Sequence, residues 1–584
     1  MKQHIENLLQ RAVQKLQEAG EFPVIPAFVQ VDATKNPEHG DFASNIAMVL
    51  SKLIQKKPRD IAALIIQFIP HSDDVQKIEI AGPGFINFFL SAKALHDVVV
   101  AILTEKENYG RCKIGREKRV LVEFVSSNPT GPLHVGHGRH AAFGAVIANL
   151  LDAVGFKVYR EYYVNDAGRQ MDILTTSIWL RYLELCGEIF SFPTNAYRGN
   201  YVVDIARTVY EKQQRLFYLP ANQIFTDLPF DEPQGGDKEI YIDALIDRAK
   251  KCLGKNYELL FDIGLKNILA DINNDLAEFG VQFDNWFSER QFTQDGKVNV
   301  ILQKLKANGH IYERENAFWF RSTPFGDEKD RVVVRANGQR TYFANDVAYH
   351  LNKFERDFDI VIDILGSDHH GYVPRLKAAV QASGINPERL LHLLVQFVTL
   401  YRGKEQVQMS TRGGTFVTLR ELRHEVGNDA ARFFYVMRKS EQHIDFDLEL
   451  AKSRSNENPV YYVQYAYARI CSVFHQLTEK HLHYDEALGL AHLDLLTETH
   501  ERQLLNTLSH YPDMIIQAAL YYEPHQLTNY LRDLATDFHS YYNAMQFLVE
   551  ENALRNARLV LIAATRQTLQ NGFKILGITA PETM

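Results

Sequence analysis

The stretch "RVLVEFVSSNPTGPLHVGHGRHAAFGAVIANLLDAVGFKVYREYYV", residues 119–164, decides the fold. It opens with the near-continuous apolar run "RVLVEFVSS", which is typical of a strand buried inside a parallel sheet. The alanine-rich middle predicts a helix that ends at Gly155, and "FKVYREYYV" predicts the next strand. Strand, helix and strand in this order form a β-α-β unit. The sequence therefore predicts an α/β fold built on a Rossmann-type nucleotide-binding domain.

The rest of the chain predicts further domains around this unit. Upstream, "AGPGFINFFLS" places a turn before an alternating strand, which indicates a small α+β domain. Downstream, "TLRELRHEVG" carries a capping box of Thr418 with Glu421, and beyond Pro459 the chain reads as successive helices. We predict an N-terminal domain over 1–110, a catalytic domain over 116–415 with a mostly helical insertion over about 170–330, connecting helices over 416–458, and an all-α bundle over 459–584.

The charge balance limits the class of partner. The chain has 64 Lys and Arg against 72 Asp and Glu, a formal net charge of −8. Nonspecific binding along duplex nucleic acid requires a strongly basic surface, so this class of protein is disfavoured. An RNA partner recognised through local basic patches remains compatible with the composition.

The cysteines and the apolar runs indicate where the protein works. Cys112, Cys186, Cys252 and Cys471 lie far apart, and they offer neither a disulfide framework nor a CxxC zinc site. No apolar run approaches the roughly 20 residues of a membrane helix, and the N-terminus predicts an amphipathic helix instead of a signal peptide. We therefore expect a cytoplasmic protein with no membrane contact and no bound zinc.

Two histidines lie in "SSNPTGPLHVGHGR", Ser126–Arg139, between the first strand and the helix. An ordinary helix start, a metal site and a phosphate site are the three interpretations. The metal interpretation lacks an HExxH motif or cysteine ligands. The phosphate interpretation fits best, because free backbone N–H groups and the helix dipole attract anions here, and Gly131 and Gly136 let a ligand approach the backbone. The turn is predicted to bind ATP, and no residue is assigned to a metal.

"PLHVGH" is similar to the HIGH signature of class I aminoacyl-tRNA synthetases, and "VQMSTRGG" at 407–414 is similar to their KMSKS loop. The resemblance implies that the signature histidines bind the ATP phosphates and stabilise the adenylation transition state. The ATP-binding residues that it implies in these two motifs are His134, Gly136, His137, Met409 and Ser410.

The second signature departs from the family pattern. The chain reads Gln408 and Arg412 at the ends of the KMSKS-like segment, so both signature lysines are missing. Those lysines normally neutralise the pyrophosphate leaving group. Arg412 and the nearby Lys404 are the candidates to replace them as catalytic cations.

The whole chain resembles the bacterial arginyl-tRNA synthetases. "GDFASN" matches their N-terminal domain, "EYYVNDAGRQ", "FDNWFSER", "TYFANDVAYH" and "GSDHHGY" match their catalytic domain, and "NDAARFFYVMRK" and "NENPVYYVQYAYARI" match their C-terminal region. The resemblance implies a monomer whose N-terminal domain contacts the tRNA elbow and whose helical bundle reads the anticodon. "LGITAPETM" looks like the usual C-terminus of the family, so we expect a complete chain.

An arginine pocket needs carboxylates and flat acceptors, because a guanidinium is a planar, permanently charged fork of donors. The resemblance implies that five residues form this pocket, with Asn128 at the α-amino group and the YxxxD pair at the guanidinium. One helical turn would bring that pair to one face. The alternative is an exposed strand-end glutamate and a solvated helix face. The five residues are Glu123, Ser126, Asn128, Tyr342 and Asp346.

The segment "GSDHH" follows the apolar strand "IVIDIL". Gly366 and Asp368 are therefore expected at a strand's carboxyl end, where ligands bind in open α/β sheets. Class I enzymes often place an aspartate there against the ATP ribose, so Gly366 and Asp368 join the predicted ATP site. His369 and His370 are expected to pack nearby.

The resemblance implies a reaction with three substrates: L-arginine, ATP carrying Mg²⁺, and tRNA(Arg). Arginine would be activated to arginyl-adenylate and then transferred to the tRNA 3′ end, and activation without tRNA should be weak. Two alternatives remain at this point. One is another synthetase of the same subclass, although zinc-binding cysteines and a large editing insertion are not visible. The other is a noncatalytic tRNA-binding paralogue, which the missing lysines suggest.

Overall fold

The computed structural model describes residues 1–22, 29–34, 37–407 and 416–584. The chain divides into two compact units. One comprises Met1–Lys113 together with Ser453–Met584, and the other is Ile114–Lys452. Within the described ranges, no helix has both the length and the apolar composition needed to cross a membrane.

The N-terminal part of the first unit combines four helices with a four-stranded antiparallel sheet in the order β1-β2-β4-β3. Its buried apolar side chains include Leu9 and Phe88. The α+β character predicted for this part is confirmed. The elements are α1 (Lys2–Glu18), β1 (Val31–Ala33), β2 (Phe42–Ser44), α2 (Ile46–Ile54), α3 (Pro58–Phe68), β3 (Val75–Ala81), β4 (Phe85–Leu90) and α4 (Ala92–Glu105).

The second unit contains eleven described strands and thirteen described helices. Its strands are β5 (Arg119–Glu123), β6 (Lys157–Val164), β7 (Asn285–Ser288), β8 (Ile311–Arg314), β9 (Ala317–Phe320), β10 (Arg331–Val334), β11 (Ile360–Gly366), β12 (Leu390–Val395), β13 (Val398–Arg402), β14 (Glu405–Gln406) and β15 (Ile444–Asp447). Its helices are α5 (Val135–Ala153), α6 (Arg169–Leu185), α7 (Asn200–Gln213), α8 (Ala221–Phe225), α9 (Lys238–Leu253), α10 (Lys255–Glu278), α11 (Glu289–Gln294), α12 (Lys297–Ala307), α13 (Tyr342–Glu355), α14 (Val373–Ala382), α15 (Leu419–Val426), α16 (Asn428–Val436) and α17 (Leu448–Lys452).

The remainder of the first unit is all-helical, as the sequence predicts. Pro512 lies in the first turn of one of these helices, and Pro524 is the N-cap of the next. Tyr109 stacks on Tyr511 with 5.9 Å between ring centroids, so the end of the predicted linker is packed into this unit. The helices are α18 (Pro459–Glu479), α19 (Glu486–Ala491), α20 (Thr499–Ser509), α21 (Tyr511–Leu520), α22 (His525–Ala544) and α23 (Asn552–Leu576).

A parallel sheet in the order β12-β11-β5-β6-β7 forms the centre of the second unit. The predicted β-α-β unit is present as β5, α5 and β6, and the predicted α/β class is confirmed. The prediction that 170–330 is mostly helical omitted β7, which is the edge strand of this sheet. The prediction of connecting helices over 416–458 omitted β15, which pairs in parallel with β13. Both strands are only four residues long, too short for a clear alternation.

A row of polar residues crosses this sheet at one level. The strand register aligns His392 with Asp363, Asp363 with Glu123, Glu123 with Glu161, and Glu161 with Asn285. Neighbouring strands lie about 4.8 Å apart. Three carboxylates therefore stand side by side on adjacent strands. We call these five residues the polar row.

An apolar row lies two residues earlier on three of the same strands. It consists of Leu390, Val361 and Leu121, all fully buried. Residues two apart on a strand share a face, so both rows face the same way. The apolar row packs in one core with Leu351 and Phe354 of α13, which places α13 over this face.

Helix α5 makes a close approach to the strand that precedes it. A Cβ built on Gly144 would overlap the ring of Phe124, the residue directly after β5. Phe124 is fully buried and contacts Phe283 with 4.5 Å between ring centroids. The ring therefore has no open space to move into, and glycine is required at this position.

We expect Gly144→Ala to destabilise the protein. Overpacking typically costs about 1–3 kcal/mol, and the better helix propensity of alanine offsets up to about 1 kcal/mol of that. Denaturant unfolding followed by circular dichroism measures the change. Gly168→Ala is the matched control, because the nearest atom to its new Cβ is Asn165 Oδ1 at 3.5 Å. Equal stability of the two variants would contradict the close approach.

Candidate active site

The histidine turn is the N-terminus of α5. His134 is the N-cap, and its Nδ1 accepts the backbone N–H of Gly136 at 3.1 Å. The backbone N–H of His134 donates to His137 Nδ1 at 3.2 Å, and the two rings stack with 3.6 Å between centroids. Since both Nδ1 atoms accept hydrogen bonds, the network assigns the ring proton to Nε2 in each neutral histidine. The turn thus presents two imidazole N–H donors with a fixed tautomer.

The protonation state of these histidines follows from their surroundings. Burial lowers the pKa of His134, and it lowers the pKa of His137 well below the usual value. Both rings are therefore neutral near pH 7. They would bind an anion as hydrogen-bond donors beside a helix N-terminus, and not as cations.

The chain that follows the second signature lies directly against this turn. The backbone N–H of Leu419 donates to the carbonyl of Leu133 at 2.8 Å, and that of Val135 donates to the carbonyl of Val417 at 3.2 Å. The Phe416 ring lies 6.3 Å from the His134 ring between centroids. These main-chain bonds place the residues that follow the second signature beside the histidine turn.

Of the four residues predicted to act in or near the second signature, the structure describes only Lys404. Met409, Ser410 and Arg412 lie outside the described residues. Lys404 lies on an exposed turn between β13 and β14. Its ammonium forms no ion pair or hydrogen bond with any residue in the described ranges, so its catalytic role stays a prediction.

Gly366 and Asp368 lie where the sequence predicts them, at the carboxyl end of β11. Gly366 is the last residue of the strand, and a six-residue 3₁₀ helix, Ser367–Tyr372, follows it. The Asp368 side chain is 64% exposed, and its carboxylate lies 3.7 Å from His369 Nε2. A Cβ on Gly366 would overlap this carboxylate, so glycine lets Asp368 fold back over the strand end. The carboxylate remains free to bind a ligand hydroxyl.

Glu123 is the last residue of β5, and it is buried, not exposed as the alternative interpretation supposed. Its Oε1 accepts Ser126 Oγ–H at 3.0 Å, and its Oε2 accepts the Tyr349 hydroxyl at 2.8 Å. Ser126 Oγ in turn accepts the backbone N–H of Tyr163 at 3.1 Å. Asn128 is exposed, and its Oδ1 accepts the amide of Asn165 at 3.0 Å.

Tyr342 and Asp346 lie one turn apart at the start of α13. Tyr342 is 65% exposed, in agreement with a solvated face. Asp346 is half-buried, and burial raises the pKa of its carboxyl to about 6. Glu289 and Glu123 contribute to that rise as neighbouring negative charges.

Glu289, the first residue of α11, was missed by the sequence analysis. It is 5% exposed, burial raises the pKa of its carboxyl, and its Oε1 accepts the amide of Asn345 at 3.0 Å. Among the described residues, neither Glu289 nor Asp346 has an ion-pair partner. These two carboxyls form a patch of uncompensated negative charge, which is suited to a cationic ligand.

Three further residues on α13 and its C-cap were also missed: Tyr349, Lys353 and Arg356. Lys353 Nζ lies 2.5 Å from Glu123 Oε2 and 2.5 Å from Asp363 Oδ1. Arg356 holds Glu161 through two hydrogen bonds of 2.5 and 2.8 Å. The helical spacing in "DVAYHLNKFER" puts these side chains on one face, but only the strand register shows their partners.

His350, Asp363 and His392 have a spacing that a metal ion could use. His350 Nε2 lies 3.0 Å and His392 Nε2 3.7 Å from Asp363 Oδ2. The Lys353 ammonium already occupies Asp363 Oδ1, and it contributes to the lowered pKa of Asp363. A second cation here would be repelled by that ammonium, so we assign no metal to the group.

Three family models match the chain. The arginyl tRNA synthetase N-terminal domain matches residues 3–90. The catalytic domain of the class I (R) tRNA synthetases matches residues 98–188 and 240–454. The DALR anticodon binding domain matches residues 463–584.

Curated relatives match over the full length. An arginine–tRNA ligase of Thioalkalivibrio sulfidiphilus is 59% identical over 586 residues, which covers all of both chains. One from Legionella pneumophila strain Paris is 56% identical over the same coverage. The solved structure of Thermus thermophilus arginyl-tRNA synthetase superposes with a TM-score of 0.76 at 23% identity and covers all of both chains, which shows the likeness of the fold.

We expect Asp346→Asn to stabilise the protein near pH 8 by on the order of 1–3 kcal/mol. The folded-state pKa of this carboxyl, about 6, lies above the usual value, so the folded protein favours the neutral acid. Ionisation of the Asp346 carboxyl destabilises the folded state. This destabilisation is absent below about pH 4, develops between about pH 4 and 6, and is complete above that range.

Thermal melts of wild type and variant near pH 4.5 and 8 measure this difference. Asp295→Asn, at an exposed position in the same unit, is the control and should show no pH-dependent gain. A gain of equal size at both pH values would contradict the assignment.

Proposed function

Because the chain belongs to the arginyl-tRNA synthetase family, its reaction is the ATP-dependent attachment of arginine to tRNA, and we propose which of its residues bind the two small substrates. The observation that carries the proposal is the pairing of an unneutralised carboxylate patch with a turn of neutral N–H donors. The patch suits a guanidinium, and the turn suits phosphates. Both lie at the carboxyl ends of one parallel sheet.

The reaction proceeds in two steps. The arginine carboxylate attacks the α-phosphate of ATP, forming arginyl-adenylate and releasing pyrophosphate. A ribose hydroxyl at the tRNA 3′ end then attacks the arginyl carbonyl, and AMP leaves. No covalent enzyme intermediate is required, so catalysis consists of positioning and of stabilising charge on the phosphates. Mg²⁺ enters with ATP as part of the substrate.

In the proposed ATP site, the Nε2–H groups of His134 and His137 donate to the phosphates as charge develops on them. Their preset tautomers support this role, since no proton has to move before the bonds form. Gly136 gives the nucleotide access to the turn. Gly366 and Asp368 hold the ribose, and Met409, Ser410, Arg412 and Lys404 act on the nucleotide and the pyrophosphate.

In the proposed arginine site, Asp346 binds the guanidinium and Tyr342 completes that end of the pocket. Glu289 adds a second carboxylate beside Asp346. At the other end, Glu123 and Ser126 line the pocket and Asn128 takes the α-amino group. The charge pattern supports this orientation of arginine, because the carboxylates without an ion-pair partner among the described residues lie at the α13 end of the site.

The tRNA is proposed to contact both ends of the chain. Residues 1–110 would bind its elbow and residues 459–584 its anticodon, which the family matches at 3–90 and 463–584 support. We further propose that the protein is a cytoplasmic monomer. The two alternative functions lose support, since the relatives above are arginine enzymes and the histidine turn is intact.

A charging assay with radiolabelled arginine and tRNA(Arg) tests the function directly. We expect His134→Ala and His137→Ala each to lower kcat by about 10²–10³, the usual loss for one preorganised donor. His424→Ala, at an exposed position on α15, is the control and should charge tRNA at the wild-type rate. Near-normal charging by both active-site variants would overturn the phosphate-binding role.

We expect Asp346→Asn to raise the KM for arginine by roughly 30–150-fold, which corresponds to about 2–3 kcal/mol for a lost charged hydrogen bond. In wild type, arginine affinity should fall as the pH drops below about 6, where this carboxyl becomes protonated. The fall should be smaller in the variant, where Glu289 is the remaining pocket carboxyl with a raised pKa. Measuring the KM for arginine and for ATP from pH 5 to 8 checks both points, and an unchanged arginine KM would exclude Asp346 from the pocket.

A further inference from the structure

We propose that Lys353 is a positioning residue for arginine recognition, acting through Glu123. The inference rests on the proposed function, because it assumes that Glu123 belongs to the arginine site. Lys353 cannot touch substrate itself. Its side chain is fully buried, its ammonium bridges Glu123 and Asp363, and it lies 4.3 Å from the ring centroid of Tyr349.

Lys353 neutralises the buried carboxylate of Glu123. In the polar row its neighbours are Asp363 on one side and Glu161 on the other, both carboxylates. Arg356 forms an ion pair with Glu161. Among the described residues, only Lys353 forms an ion pair with Glu123. Without that ammonium, Glu123 would be a buried carboxylate between two others. The neighbouring carboxylates would repel it, and its side chain would turn away.

Glu123 also helps to fix the conformation of the segment that follows it. Lys353 and Tyr349 hold its Oε2, which aims Oε1 at the Ser126 hydroxyl. Ser126 and Val125 have φ angles of 41° and 67°, the left-handed region that these residues rarely adopt. Such a conformation persists only where surrounding contacts fix it, and the bond to Glu123 is one of them. The segment it fixes continues into Asn128.

The predicted effect is therefore specific to arginine. Removing the ammonium disturbs Glu123 and the turn that leads to Asn128, both of which face the amino acid. It leaves the ATP-binding histidines in place, because they are held by main-chain bonds to Val417 and Leu419. A residue that only stabilised the fold would affect both substrates alike.

The test uses the full chain and the double variant K353M/D363N. It removes one buried cation and one buried anion together, so the summed charge of Lys353 and the polar row is unchanged while Glu123 loses its ion pair. We expect the KM for arginine to rise by roughly 10–100-fold, with the KM for ATP changed by less than about threefold. The single variant D363N is the matched control, because Glu123 keeps Lys353. Its arginine KM should stay within about threefold of wild type.

A second control, Arg356→Met, removes the cation that pairs with Glu161 but not the partner of Glu123, so it should destabilise the protein without raising the arginine KM. Thermal melts accompany each variant, and K353M/D363N should remain folded even where K353M alone does not. A normal arginine KM in K353M/D363N, or equal rises for arginine and ATP, would overturn the proposal. If D346N also leaves the arginine KM unchanged, the arginine site itself is misassigned. If D346N raises it, only the role of Lys353 is lost.

Discussion

The structure of the catalytic unit depends on the neutralisation of three carboxylates that stand side by side on neighbouring strands. Asp363, Glu123 and Glu161 would repel one another and resist burial without Lys353 and Arg356. Removing one partner of such a buried pair typically costs about 3–5 kcal/mol. The two cations therefore fix the position of α13 along the sheet. The apolar contacts of α13 alone would fix that position less strictly. Asp346 lies two turns before Lys353 on the same face, so fixing the helix also places the carboxylate that we assign to the guanidinium.

The neutralisation does not extend to the N-terminal end of α13, and the recognition that we propose depends on this difference. Burial raises the pKa of Asp346 and of Glu289, and no cation forms an ion pair with either carboxyl among the described residues. The histidine turn favours the opposite ligand charge, because neutral imidazole donors and a helix N-terminus attract anions. One short segment, from Glu123 to His137, joins the two environments. A ligand with a cationic side chain and a carboxylate would be drawn across them, with its carboxylate toward the phosphates.

The sequence revealed the parts of this arrangement that depend on local pattern. The β5-α5-β6 unit, the capping box at Thr418 and the helical bundle follow from periodicity and turn chemistry, whereas the N-cap role of His134 came from the structure. Glu123 and Asp346 were reached through resemblance. The partners of Lys353 were not predictable, because Glu123 lies 230 residues away and meets it only through strand register. Glu289 was missed for a similar reason, since it follows a four-residue strand whose place at the sheet edge local pattern does not reveal.

The departure from the second signature has a limited structural consequence. On its C-terminal side, the chain is tied to the histidine turn by main-chain bonds from Val135 and Leu419, with Phe416 against His134. On its N-terminal side, the backbone N–H of Val407 donates to the carbonyl of Leu400. None of these bonds uses a side chain of the signature. Because these bonds are made by the backbone outside the signature, the missing lysines change the charge that we propose this segment offers to pyrophosphate, while Val417 and Leu419 remain bonded to the histidine turn.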